Sequence, residues 1–206
     1  MDTIKVSAVV PFHHANDHLV QLTRDCLYSI KGQFDELVMV DDASPLKGSE
    51  FMSQADIFIQ NFTNLGYIKS ANKGIRAAKG DYVVVVCNDT RLVEGHLKNL
   101  CGEGYVFTKM EGKDAPFWDG SFYGFPKKIG GLYDERYKTY FGDLDKFYDA
   151  KKQGISLTQN PKVRVFHHQS ATTNAMGIRN KVYEEDRRVF EKKWGFEPLD
   201  NYYNLI

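Results

Sequence analysis

Apolar positions recur along this chain with two periods, and their alternation lays out an order of elements. Short β-branched runs at 6–11, 36–40, 56–60 and 83–86 read as strands, the run VVVV at 83–86 being of the kind covered on both faces of a sheet. Between the first two, Leu19, Leu22, Cys26, Leu27 and Ile30 fall at three- and four-residue steps, which predicts an amphipathic helix capped by Asp17 and ended near Gly32. A second helix is predicted over 69–79, opened by Gly66. Strand, helix, strand at this spacing implies a right-handed crossover with parallel strands. Beyond Thr90 the pattern predicts a helix over 93–100, a strand over 105–109 and a core strand holding Phe122 and Phe125. A helix running to Gly154, an extended segment over 162–173 and a helix over 179–195 complete the chain. The stripe Val182, Tyr183, Val189, Phe190 and Trp194 on that last helix reads as core packing.

The strands end in polar residues. The first runs into Phe12, His13 and His14, the second into Asp41, Asp42, Ala43 and Ser44, and the run at 83–86 into Asn88, Asp89 and Thr90. In an open α/β sheet helices cover both faces, so ligands bind at the carboxyl ends of the strands. Three hard oxygen donors at such an end suit a divalent cation or a phosphate-bearing ligand.

Composition narrows the classes. Two hundred and six residues suit one α/β domain, and the balance of 27 basic against 27 acidic residues lacks the electrostatic footprint of a nucleic-acid binder. No apolar run approaches the roughly 20 residues that cross a bilayer. The start MDTIKVSAVV lacks a signal-peptide layout, so a soluble, cytoplasmic chain is expected. Cys26, Cys87 and Cys101 show no C-x-x-C spacing and read as small core residues. Neither G-x-G-x-x-G nor a P-loop follows a strand, which argues against dinucleotide and P-loop enzymes.

The segment NLGYIKSANKGIRAAKGDYVVVVCNDT over 64–90, together with VVPFHH and VDDAS upstream, resembles family 2 glycosyltransferases of the GT-A fold, especially rhamnosyltransferase-like members. Downstream, GGLYDERY, the cluster Gly142, Asp143, Leu144, Asp145 and the ending KKWG are similar to that family in the same order. The resemblance implies a mostly parallel central sheet flanked by helices in a single domain over 1–206. Residues 1–92 would hold the nucleotide sugar and 93–206 the acceptor and the catalytic base. It assigns donor binding to Pro11, Phe12, His13, Asp41, Asp42, Asn64, Gly66, Lys69, Asn72, Asn88 and Asp89, with Asp41 on the base. The amino end of the second helix would face the diphosphate through free N–H groups.

The catalytic carboxylate falls on Asp143, because Gly142 stands where many members carry Glu. Asp89 and His167 would hold Mn²⁺ or Mg²⁺; neighbouring histidines on an extended segment point opposite ways, so only one of His167 and His168 should reach the site. Trp118 and Asp119, in the aromatic, glycine-rich segment 115–126, and Asp145 are the acceptor-side candidates, since aromatic faces stack on sugars. The implied reaction is inverting transfer from a UDP- or dTDP-sugar to a glycan hydroxyl. At most the last helix would brush a membrane, and the chain is short enough to be part of a larger protein. Two other classes fit less well: a nucleotide-sugar-binding protein without turnover, suited by Asn88 and Gly142, and a sugar nucleotidyltransferase, which wants a basic glycine-rich loop that VVPFHHAND lacks.

Overall fold

A computed structural model describes residues 4–46, 49–112 and 119–198. β1 (Val6–Phe12), β2 (Glu36–Asp41), β3 (Ile57–Gln60) and β4 (Tyr82–Val86) lie parallel, and every residue of β1 is buried. The sheet continues through β7 (Phe122–Pro126), β6 (Tyr105–Met110), β8 (Leu157–His167) and β5 (Thr90–Glu94), in the order β3-β2-β1-β4-β7-β6-β8-β5. β7 runs antiparallel to both β4 and β6, β6 pairs parallel with β8, and β5 closes the edge antiparallel to β8.

Helices α1 (Asp17–Ile30) and α3 (Tyr67–Ala77) cover the first half of the sheet. On one face Cys26, Leu27 and Ile30 pack on Val10, Met39 and Val84; on the other Ile68, Ala71 and Ile75 pack on Val9, Val38 and Val85. A short α2 (Ser49–Met52) precedes β3. The second half carries α4 (Gly142–Lys152), α5 (Ala171–Ala175) and α6 (Arg179–Trp194), and Phe147 and Phe190 join the α3-side core with Tyr123 and Phe125. Among the described residues no helix is long and apolar enough to cross a membrane.

Three elements differ from the sequence reading. The cap of α1 is Asn16, whose Oδ1 accepts from Leu19 N at 3.1 Å, and Asp17 is the first helical residue. The helix expected over 93–100 is instead β5 followed by one 3₁₀ turn, Leu97–Leu100. Thr90 and Leu92 turn inward while Arg91 and Val93 turn out, a period of two that tertiary pairing with β8 selects. The segment over 162–173 starts earlier, at Leu157, and ends in the short α5.

The loop before α4 is fixed from a distance. Asp186 on α6, 1% exposed, accepts from the backbone N–H groups of Lys138, Thr139 and Tyr140 at 2.8 to 2.9 Å, and the carbonyl of Lys138 accepts from Ile68 N at the start of α3. One carboxylate thus ties α6, the 138–140 loop and α3 together. Asp186→Asn removes one acceptor oxygen and should lower unfolding free energy by about 1–3 kcal/mol in urea titration. An unchanged midpoint would show that water serves these N–H groups equally well.

Candidate active site

The carboxyl ends of β1 and β4, the end of β8 and the start of α4 surround a cavity of about 320 Å³. Pro11, Phe12, His13, Asp42, Asn64, Gly66, Asn88, Asp89, Asp119, Asp143 and His167 line it, so most of the sequence-derived candidates converge there.

Register brings Asp89 and His167 together. Thr90 on β5 pairs with His167 on β8, which sets Asp89 against the end of that strand, and His167 Nε2 lies 3.3 Å from Asp89 Oδ1. On the other side its Nδ1 lies 3.6 Å from Asp119 Oδ2. Burial alone would lower the imidazole pKa, but the carboxylates of Asp119 and Asp89 outweigh it and push His167 up to about 10. Burial would likewise raise the Asp119 carboxyl, and its bonds to His167 and Ser121 hold it below the usual range. His168 points elsewhere, its ring edge-on to Phe166 and His18.

Asp143 lines the same cavity from the first turn of α4. Its Oδ2 accepts from Gly120 N at 3.1 Å and its Oδ1 from Leu144 N at 2.8 Å. A Cβ on Gly120 would sit 2.4 Å from Asp143 Cβ, so only glycine allows this approach. Burial, and then the charge of Asp119, raises the Asp143 carboxyl above the ordinary carboxylate range. Cys87 also lines the cavity, and burial pushes its thiol well up, which keeps it protonated and unreactive.

Several candidates are placed differently. The Asp41 carboxylate is 1% exposed, turned into its own loop to accept from Ser44 N at 2.8 Å, and is not part of the cavity wall. Asp42 reaches the wall, but its two oxygens already accept from Leu65 N, Gly66 N and Asn61 Nδ2. At the amino end of α3 Gly66 N is taken by Asp42 and Ile68 N by the carbonyl of Lys138, so fewer N–H groups are free for a diphosphate than the sequence reading expected. Asn72 spends its amide on both backbone groups of Tyr133 and on Glu135, and Lys69 lies off the cavity wall. Asp145 faces away, held by Tyr137, Lys193 and Trp194 as a link between α4 and α6. Phe122, Tyr123 and Phe125 form buried β7, so no sugar platform stands there, and Trp118 lies outside the described residues.

Sequence reading passed over the facing wall. Tyr140 Oη bonds Ser170 Oγ and Thr173 Oγ1, and with Thr172, Met176 and Ile178 these residues give the cavity a side of hydroxyls and apolar groups. Their only sequence signal is the small polar run QSATT after the paired histidines.

Position 142 explains itself. A Cβ there would fall 2.6 Å from Ile68 Cδ1, so any larger residue needs the end of the Ile68 side chain to shift. Gly142→Glu should cost about 1–3 kcal/mol of stability by overpacking, and adding Ile68→Val, which removes Cδ1, should recover part of it. Equal denaturation midpoints for the native chain and Gly142→Glu would contradict the steric account.

Comparison with known proteins agrees with this geometry. Residues 7–103 match the family model for glycosyl transferase family 2. Glycosyltransferase GlyG of Streptococcus pneumoniae serotype 4 is 28% identical over 134 residues, which cover 62% of this chain and 42% of GlyG, so the chain spans less than half the length of that relative. The mannosyltransferase PcManGT of Pyrobaculum calidifontis, solved with GDP-Man and Mn²⁺, superposes with a TM-score of 0.68 at 17% identity, covering 98% of this chain and 68% of that one. S. aureus TarS 1–349 in complex with UDP gives 0.61 at 14% identity, over 98% and 75% of the two chains. Residues 7–103 thus carry the similarity to glycosyl transferase family 2, and the sheet and its helices have the fold of these solved glycosyltransferases.

Proposed function

We propose that the chain transfers a sugar from a nucleoside diphosphate sugar to a hydroxyl of a glycan or related acceptor, with inversion at the anomeric carbon. The observation that carries this reading is one cavity lined by both Asp143 and the Asp89–His167 pair. In the reaction the Asp143 carboxylate takes the acceptor hydroxyl proton while the oxygen attacks the anomeric carbon, and the bond to the diphosphate breaks on the opposite face. Its raised pKa makes it a stronger base than an exposed aspartate. The wall of Tyr140, Ser170, Thr172, Thr173, Met176 and Ile178 suits a sugar, which presents hydroxyls at its rim and C–H groups on its faces.

A divalent cation fits the donor side. Neither lysine nor arginine is found among the described residues lining the cavity, and the Asp42 carboxylate already holds Leu65 N and Gly66 N at the amino end of α3, so a diphosphate there needs another counter-charge. Asp89 Oδ1 and His167 Nε2 are close enough to share one ion, and no cluster of three acidic, histidine or cysteine ligands exists among the described residues. Two protein ligands suit Mn²⁺ or Mg²⁺ completed by phosphate oxygens rather than caged by side chains. Bound there, the ion would stabilise charge growing on the leaving diphosphate. The Mn²⁺ and GDP-Man of PcManGT and the UDP of TarS support a nucleoside diphosphate as the donor half. The reading places the reaction in the cytoplasm, on residues 1–206 acting as one unit.

Calorimetric titration of UDP, dTDP and GDP with and without Mn²⁺ should show one of them binding in a Mn²⁺-dependent way, at least about tenfold more weakly in Asp89→Ala. Absence of binding by all three would remove the reading. Asp143→Asn should keep that affinity while transfer drops by about 10²–10⁴-fold. In the native chain the acid limb of kcat/KM should lie above pH ~4, where an unperturbed aspartate titrates. A limb at or below that value would exclude Asp143 as the base.

A further inference from the structure

The residue at the tip of β4 that departs most from a metal-binding acid is Asn88, and its surroundings are built for an amide. Asn88 lines the cavity, 6% exposed, and its Nδ2 donates to Thr23 Oγ1 at 2.8 Å. Thr23 is fully buried on α1 and is not itself part of the cavity wall. Its hydroxyl has one proton, and the carbonyl of Leu19, one helical turn back, lies 3.1 Å away to receive it. Both remaining positions on Oγ1 are acceptors. Asn88 Nδ2 takes one, and His14 Nε2, at 2.9 Å, takes the other.

The accounting fixes the rest. His14 must donate from Nε2, which leaves Nδ1 as a bare ring nitrogen, and Nδ1 is indeed a buried atom without a partner. Burial lowers the His14 pKa to about 4, in keeping with a neutral ring carrying a single N–H. The ring is stacked on Phe12 at 4.4 Å between centroids. Two further side chains of α1, at three-residue steps from Thr23, hold the same turn: Cys26 Sγ donates to Cys87 O at 3.6 Å and Ser29 Oγ accepts from Leu92 N at 3.0 Å. Thr23, Cys26 and Ser29 therefore form a polar stripe that docks the β4–β5 tip on α1.

From this we propose that Thr23, supported by His14, is a positioning residue that fixes the Asn88 amide so that its Oδ1 faces the cavity as a neutral oxygen donor beside Asp89. The proposal rests on the donor-site reading above and assigns Asn88 Oδ1 to the cation-bearing end of a nucleoside diphosphate. In the observed arrangement the Thr23 oxygen accepts from the Asn88 amide while its own proton goes to the Leu19 carbonyl.

A double-mutant cycle of Thr23→Val and Asn88→Ala tests it, reading the dissociation constant of whichever of UDP, dTDP or GDP the native chain binds, with and without Mn²⁺. Thr23→Val should weaken Mn²⁺-dependent binding about five- to tenfold, the worth of one hydrogen bond to the amide, and leave Mn²⁺-free binding unchanged. Thr23→Ser should restore native affinity. The double variant should bind no more weakly than Asn88→Ala alone, because Thr23 acts through Asn88. Should the valine variant not fold, Thr23→Ala serves in the same cycle. Native affinity in the Thr23 variant, or losses that multiply in the double variant, would overturn the positioning role while leaving the donor reading intact. A native chain that binds none of the nucleotides would remove both.

Discussion

The cleft depends on one constraint: the loops that line it carry backbone N–H groups out of water, and each must find an acceptor. Here internal carboxylates meet that need. Asp42 accepts from Leu65 and Gly66, Asp186 from Lys138, Thr139 and Tyr140, and Asp143 from Gly120 and Leu144. Their effect is to hold three segments from distant parts of the chain at fixed separation around a space no side chain fills. Gly66 shows how tight the result is, since at φ 88° a Cβ would lie 2.8 Å from the carbonyl oxygen of Lys138.

That use of carboxylates has a functional consequence. Because the Asp42 carboxylate already holds Leu65 N and Gly66 N at the amino end of α3, that helix terminus is a poorer cradle for phosphate than one with all its N–H groups free. The pair Asp89 and His167, set by the β5–β8 register, and Asp143 at the start of α4 line the same cavity. Residues of one chemical type therefore divide into buried anchors and cavity-lining groups by their placement. Asp145 and Asp143, two positions apart on α4, make the division plain: one is bonded by Tyr137, Lys193 and Trp194, the other opens into the cavity.

Much of the first half was legible because its strands are buried on both faces and read as apolar runs. VVPFHH, VDDAS and CNDT carried both the strand ends and the resemblance, and the helices followed from their apolar steps. What failed was decided by tertiary contact. β5 alternates over only five residues and forms because β8 is beside it. Asn72 sits in the right motif, yet the hydrogen bonds that take up its amide come from Tyr133, far along the chain. Asp186 looked like one charge among many on an amphipathic helix. Nothing within α6 shows that three N–H groups of another loop point at it.

The most direct test of the account is a crystal structure of the chain grown with Mn²⁺ and the nucleoside diphosphate it binds, with anomalous scattering recorded at the manganese edge. The account predicts a single strong anomalous peak within coordination distance of Asp89 and His167, with the diphosphate on it and Asp143 facing the open side. Nucleotide bound away from the strand ends, or a manganese peak remote from Asp89, would contradict it.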